Sequence, residues 1–274
     1  MTAALLFLLA APGIDITTRA RAMQPGELVV VTIATPAAAD HVTLRVFNHD
    51  VEPFRVDEHV WRALVGIDLD VKPGTYPITV TTTSGERGAS ELVVKPKAFR
   101  TRRLTVDQAF VTPPASETER IARDARLLEH AWATSDPTRL WSAPFVRPVP
   151  GEANSAFGTR SVFNGRARNP HGGADFLSPS GTPIHAPNAG RVVIARDLYF
   201  TGNTIVIDHG LGLFSMLAHL SAMDVAEGDH VVAGQVLGRV GATGRVTGPH
   251  LHWAVRATGA RVDPLSLLQL LGPV

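Results

Sequence analysis

Three local patterns in the chain carry groups that can hold a metal or move a proton. His171 and Asp175 stand four residues apart across Gly172 and Gly173. The two glycines disfavour a helix, so the spacing reads as a loop running into a strand. Such a loop can turn both side chains toward one point, and imidazole nitrogen and carboxylate oxygen both suit zinc. His250 and His252 flank Leu251 at the entry to an apolar strand. Residues i and i+2 of a strand share a face, about 6.5–7 Å apart, so this pair aims into one site while Leu251 faces away. Two neutral imidazoles make poor core residues, because each must find a polar partner. His219 ends a third apolar stretch, where a polar residue needs either a task or an exposed edge. A catalytic zinc site uses three protein ligands and keeps one position open. His171, Asp175 and one of the paired histidines would supply three, and the remaining imidazoles would be left to move protons.

The elements that must position these groups are strands. From residue 151 onward glycine is frequent, and short apolar runs follow one another at 190–195, 204–207, 213–217, 230–232, 235–240 and 252–255. This texture predicts a second all-β domain with no helix of length before 264–271, and seven of the eleven histidines fall in it. Residues 27–95 predict a small β-sandwich: β-branched runs at 27–33, 41–47, 60–67, 76–82 and 91–94 are separated by turn signals such as Pro25-Gly26, Pro73-Gly74 and Ser84-Gly85. His41, His49 and His59 are scattered there and read as surface or packing residues. Residues 95–103 carry five basic side chains. They read as a solvated connector, with contact to an anionic polymer as the functional alternative. A helix follows, with a capping box at Ser116 and Glu119 and an apolar stripe of Ile121, Ala125, Leu128 and Trp132 that would pack between the domains. Asp136-Pro137 ends it, and Pro144, Pro148 and Pro150 make a stiff approach to the next unit. The expected organisation is therefore a possible signal-peptide remnant at 1–13, a β-sandwich at 14–98, a linker with a helix at 99–140, and a Gly-rich antiparallel β domain at 141–274.

Composition bounds the function classes. Hydrophobic residues make up 45% and charged residues 19%, which fits a globular chain. A net charge of +1 gives no strong field for nucleic acid or an anionic membrane. The absence of cysteine excludes disulfides, thiolate nucleophiles and Cys-type zinc sites. The apolar run within residues 1–13 has the length of a signal-peptide core and is too short to cross a bilayer, although the usual positive charge before the core is missing. It predicts export to the periplasm, the cell envelope or the medium, with no integral membrane segment.

The stretch from Ser155 to Leu268 resembles the LytM/lysostaphin-type family of zinc metallopeptidases, whose domain has the duplicated hybrid motif fold. The matches are Ser155-Ala156-Phe157-Gly158-Thr159-Arg160, His171 with Asp175, Gly181-Thr182-Pro183 with Ala186-Pro187 and Gly190, Gly202-Asn203 with Asp208-His209-Gly210, Ala218-His219-Leu220, Gly234-Gln235 with Gly238, and Gly241-Ala242-Thr243-Gly244 leading into Thr247-Gly248-Pro249-His250-Leu251-His252. They run in the family order over more than a hundred residues.

The resemblance implies roles. His171, Asp175 and His252 would bind one zinc ion per chain, and His219 with His250 would be the catalytic pair. His209 and His185 match no ligand role and read as structural or groove-lining. One departure concerns Leu217, where the family often has a tyrosine; this puts a groove contact from that position in doubt but does not touch the ligand set. The implied activity is that of a monomeric endopeptidase hydrolysing stem or cross-bridge peptides of bacterial peptidoglycan, without a covalent intermediate. The alternatives are a catalytically silent regulator or scaffold of cell-wall hydrolases, and a metallopeptidase acting on ordinary protein. Silent relatives usually lack some ligands, whereas this chain keeps all three and both histidines.

Overall fold

The structure is a computed structural model that describes residues 13–105, 112–142, 144–153 and 157–273. The stretch 1–12, and with it the export-signal reading, lies outside the described residues, as do Ser155 and Ala156. The architecture is all-β with two short helices. Among the described residues no helix is long and apolar enough to cross a membrane.

The first unit is a sandwich of two four-stranded antiparallel sheets. One sheet has the order β1 (Asp15–Ala20), β2 (Leu28–Ala34), β6 (Val60–Gly66), β5 (Phe54–Asp57). The other has the order β4 (His49–Val51), β3 (Val42–Val46), β7 (Gly74–Thr82), β8 (Arg87–Val94). Alternation along β3 puts Val42, Leu44 and Val46 inside and leaves Thr43 and Arg45 in solvent, the period of a half-buried strand. Strand β2 breaks this alternation because it is covered on both faces. Val29, Val31 and Ile33 fill the sandwich, while Leu28 and Val30 join the core of the second unit.

The second unit is built on a nine-stranded antiparallel sheet. Its main path runs β12 (Gly173–Phe176), β19 (Leu251–Ala257), β16 (Leu213–Met223), β15 (Gly202–Asp208), β14 (Gly190–Leu198), β17 (His230–Val231). Strand β18 (Val236–Val240) pairs with both β16 and β13 (Pro183–His185), and β20 (Ala260–Val262) pairs with β19. Helix α2 (Pro264–Leu271) closes the unit; the Asp263 side chain accepts from the Leu265 N–H at 3.0 Å as its N-cap.

The connecting region departs from its sequence reading. Residues 95–103 are mostly exposed, as expected of a solvated connector, but the run is tied to both units. Lys97 bonds Glu27 at 3.0 Å. Strand β9 (Thr101–Leu104) then lies parallel to β10 (Arg160–Phe163), which pairs on its other side with β11 (Arg166–Ala167). The expected capping box is also absent. Pro114 starts a 3-10 turn over Ala115–Glu117, closed by Glu117 N–H on the Pro114 carbonyl at 3.0 Å, and helix α1 (Thr118–Ala133) begins with no side-chain cap. The stripe does not pack between the two units. Ala131, Leu127, Leu128 and Trp132 cover Ile194, Val206 and Phe214 on the second sheet alone, and Ala125 is exposed. The proline-rich approach is likewise built in, with Phe145 and Val149 buried in the main core.

Candidate metal and catalytic site

Three neighbouring strands collect side chains that are far apart in sequence. Strand β19 lies between β12 and β16, with Asp175 opposite His252 in one ladder and Ala218 opposite His252 in the other. The ladder alternates, so Leu251 and Trp253 are buried in the core while His252 faces out. His250 sits just before the strand, on an isolated bridge to Gly241. His171 is held from outside the main sheet: its N–H bonds the Thr159 carbonyl at 3.0 Å, and its carbonyl accepts from Gly158 at 2.7 Å. Gly158 has φ +74, and a Cβ there would lie 2.1 Å from the Phe99 ring.

His219 is placed by a bulge. Opposite the β15 segment from Asn203 to Ile205, strand β16 spends two residues, Ala218 and His219, against Thr204. His219 takes φ +69 there, a left-handed conformation that a non-glycine residue seldom adopts and that accumulates at functional positions. Its N–H is tied to the Thr201 carbonyl at 2.9 Å. The ring then lies 4.8 Å from that of His250 and 6.0 Å from that of His252, centroid to centroid.

The inner cluster is tight. His171 Nε2, Asp175 Oδ1 and His252 Nδ1 form a triangle with edges of 3.0 Å (His171 to His252), 3.1 Å (His171 to Asp175) and 2.9 Å (His252 to Asp175). Burial alone would raise the proton affinity of Asp175. Hydrogen bonds from the two imidazoles outweigh it and hold the carboxyl well below its ordinary range. Burial pushes His252 down, toward the neutral ring. An anionic oxygen and imidazole nitrogens therefore converge at contact distance, an arrangement that needs a cation or shared protons between them. Zinc bonds of about 2.0–2.2 Å in a tetrahedron imply ligand edges of roughly 3.3–3.6 Å, so the observed triangle is a few tenths of an ångström tighter than a loaded site. The donor set fits zinc by type and spacing. The cradle is also shaped for it: a Cβ at Gly173 would lie 2.8 Å from His252 Nε2 and 2.5 Å from the Trp253 carbonyl oxygen, so only glycine lets the ring seat.

The outer pair is oriented by carbonyls. His219 Nδ1 lies 3.0 Å from the Thr243 oxygen, and His250 Nδ1 lies 2.9 Å from the Gly248 oxygen. A carbonyl only accepts, so both Nδ1 atoms carry hydrogen and both neutral rings keep a lone pair on Nε2. Burial, reinforced by the neighbouring His252, pushes His219 down to about 4. Thr243 is fixed in turn: its hydroxyl donates to the Leu220 carbonyl at 2.8 Å and accepts from Asn203 N–H at 3.0 Å. Sequence reasoning missed these carbonyl partners. Their only signal was the glycine-flanked position of Thr243.

All five residues line one cleft of about 770 Å³. The other histidines do not. His209 is fully buried between the Ala189 carbonyl at 2.8 Å and Ser215 Oγ at 2.9 Å, and burial pushes it to about 4, so its role is structural. His185 bonds the Gly234 carbonyl at 2.8 Å away from the cleft. Leu217 is fully buried in the main core and takes no part in the cleft wall. His41, His49 and His59 remain in the sandwich, apart from the cleft.

A β domain that carries a His/Asp/His cluster beside two further histidines is the build of a metal-dependent hydrolase. Residues 169–264 match the family described as Peptidase family M23. The crystal structure of a peptidase M23 from Pseudomonas aeruginosa aligns over 90% of this chain and 95% of its own, with 34% identity and a TM-score of 0.72. The chain belongs to peptidase family M23. Among similar proteins, the DD-carboxypeptidase/endopeptidase Mpg of Neisseria meningitidis is 43% identical over 97 residues. The peptidoglycan DD-endopeptidase ShyA of Vibrio cholerae is 43% identical over 96. Each match covers 35% of this chain and 22% of the relative, so the chain spans about a fifth of the length of these relatives.

Proposed function

We propose that this chain is a zinc-dependent endopeptidase of the bacterial cell envelope that hydrolyses peptide bonds in peptidoglycan. The observation that carries the reading is the triangle of His171, Asp175 and His252, with edges of 2.9–3.1 Å, next to two carbonyl-oriented histidines in one cleft. The names of the similar proteins from Neisseria and Vibrio support the substrate.

In this reading His171, Asp175 and His252 hold the ion. A bound zinc supplies Lewis acidity, which makes a water acidic near pH 7 and polarises the scissile carbonyl. His219 and His250 do the proton work. Each presents Nε2 as an acceptor, because its Nδ1 hydrogen is committed to a carbonyl. One takes the proton of the attacking water and the other serves the developing oxyanion or the leaving amine. No serine or cysteine nucleophile is required. All five groups come from one chain, so the chemistry asks for no second subunit.

The test is zinc content of the purified protein together with release of new amino groups from purified peptidoglycan. Stoichiometric zinc with amine release that stops under a chelator and returns with zinc supports the reading. Protein that holds zinc but releases no amine from any wall preparation overturns it.

A further inference from the structure

We propose that Phe99, on the segment joining the two β units, is a positioning residue for the metal ligand His171. This deepens the proposed zinc site and rests on it. The other two ligands are fixed by the main sheet, where Asp175 and His252 face each other across the β12–β19 ladder. His171 stands outside that ladder. Gly172 alone separates it from β12, and a Cβ placed on Gly172 would meet nothing within 4 Å, so that link is free to swivel and is not packed. The ring is not steered from its far side either. Among the described residues no protein group bonds the buried His171 Nδ1, whereas the second nitrogen of a metal-bound imidazole is ordinarily held by a hydrogen bond. The backbone carries the load instead: the His171 N–H donates to the Thr159 carbonyl at 3.0 Å, and the Gly158 N–H donates to the His171 carbonyl at 2.7 Å. His171 is therefore only as well placed as residues 158–159.

Those two residues are clasped by parts of the chain outside the family match at 169–264. Phe157, just before them, is buried, and its ring lies so close to Gly26 of the first unit that a Cβ there would collide with it. The Phe99 ring covers Gly158 in the same way. Gly158 has φ +74, which glycine adopts freely, and its missing side chain lets the ring close over the backbone. Phe99 is itself anchored from the first unit. Gln24 Nε2 donates to the Pro96 carbonyl at 2.9 Å, Lys97 bonds Glu27 at 3.0 Å, and Lys97 Nζ lies 5.2 Å from the centre of the Phe99 ring. On the other side of Phe99, the Arg160 N–H donates to the Arg100 carbonyl at 2.9 Å, where the β9–β10 pairing begins. Phe99, Phe157 and Thr159 border an open cavity of about 770 Å³. Without the ring, the 158–159 backbone would have room to shift into that space, and His171 would shift with it.

The test uses the full chain, stripped of metal and titrated with zinc against a chromophoric chelator, with cobalt as a second, spectroscopic probe. Phe99→Ala is expected to weaken zinc binding about tenfold, the lower end of what loss of a group behind a metal ligand costs. At saturating cobalt its visible absorption should also depart from that of the wild type, because the imidazole no longer meets the ion at its native angle. Phe99→Leu should fall between the two, and Phe99→Tyr should bind zinc as the wild type does. Phe47→Ala removes a ring paired with Tyr76 in the first unit. It should leave zinc affinity and the cobalt spectrum unchanged, which separates the clasp from general loosening. If Phe99→Ala does not fold, Phe99→Leu against Phe99→Tyr decides. Wild-type zinc affinity in every folded Phe99 variant overturns the proposal, as does an equal loss in Phe47→Ala. These readouts need no turnover. A graded loss of zinc in a chain that cuts no peptidoglycan leaves the positioning role standing and the peptidase reading fallen. A wild type that binds no zinc overturns both.

Discussion

The four histidines and the aspartate of the cleft divide by what surrounds them. His252 touches Asp175 and His171 at contact distance, whereas His250 Nε2 stands 3.9 Å from Asp175. Loss of an inner residue should therefore empty the metal position, and loss of an outer one should not. His252→Ala is expected to lose both zinc and activity. His250→Ala should keep zinc while turnover falls by about 10²–10⁴-fold, the usual worth of a general acid or base. Metal analysis beside activity assays separates the two, and stoichiometric zinc in active His252→Ala would sink the ligand assignment. Gly173 yields a second prediction at this scale. An added methyl would meet both the His252 ring and the backbone oxygen of Trp253. Gly173→Ala should lower stability by about 1–3 kcal/mol through overpacking and weaken zinc retention on dialysis. Unchanged retention and an unchanged melting temperature would contradict the cradle.

Helix α1 contributes no residue to the described cleft lining, yet it holds a segment that does. The buried Asp124 accepts from the Tyr199 N–H at 2.8 Å, and Arg120 reaches Asp197 at 2.8 Å. Two residues on from Tyr199, the Thr201 carbonyl carries the His219 N–H. The strained backbone of His219 thus depends on a turn pinned from the connecting region. Asp124→Ala is expected to cost about 1–3 kcal/mol, because a buried N–H is left without its partner. Turnover should fall while zinc content stays. A chemical-denaturation midpoint and a zinc assay on one preparation check both halves. Had Asp124→Ala kept wild-type stability, the helix would be an ornament on the fold.

The two β units share an apolar core that takes in Leu28, Val30 and Leu64, and a charged contact lies beside it. Arg21 bonds Glu27 and Asp263 at 2.7 Å each, and Lys97 adds a third bond to Glu27. Arg261 reaches Asp68 and Asp70 from the other side of the contact. Burial alone would raise the proton affinity of Glu27, but hydrogen bonds from Arg21 and Lys97 outweigh it and leave the carboxyl below its ordinary value. A lowered folded-state value means stability that is fully present above the unfolded value, about 4.5, and is lost as pH falls through the folded one. The chain should therefore lose stability on the acid side of pH 4.5. Glu27→Gln should cost about 1–3 kcal/mol near neutrality and flatten the acid limb of stability against pH. Melting curves from pH 3 to 7 read both. A parallel downward shift at every pH would mean that the Glu27 charge is not the source of the acid limb.

Much of this molecule was legible from local pattern. Strand period gave the β content of both units and the sites of β2, β3, β6, β7 and β8 to within a few residues. The pairing of histidine with aspartate, and of histidine with histidine, announced metal-type donors, because donor chemistry belongs to the side chain itself. The short strands β1, β4 and β5, the docking of α1, and the burial of Leu217 were not legible. Neither was strand β9, which starts at Thr101 near the end of the basic run. These depend on which surface a segment meets, and a sequence window holds no information on that. The meeting of the cluster is likewise a tertiary matter. His252 lies 77 residues from Asp175 and 81 from His171, and only the register of β19 between β12 and β16 brings them to contact. Sequence alone determined the kinds of atoms available; strand pairing decided where they meet, because register is set by burying the whole sheet at once and not by any neighbour along the chain.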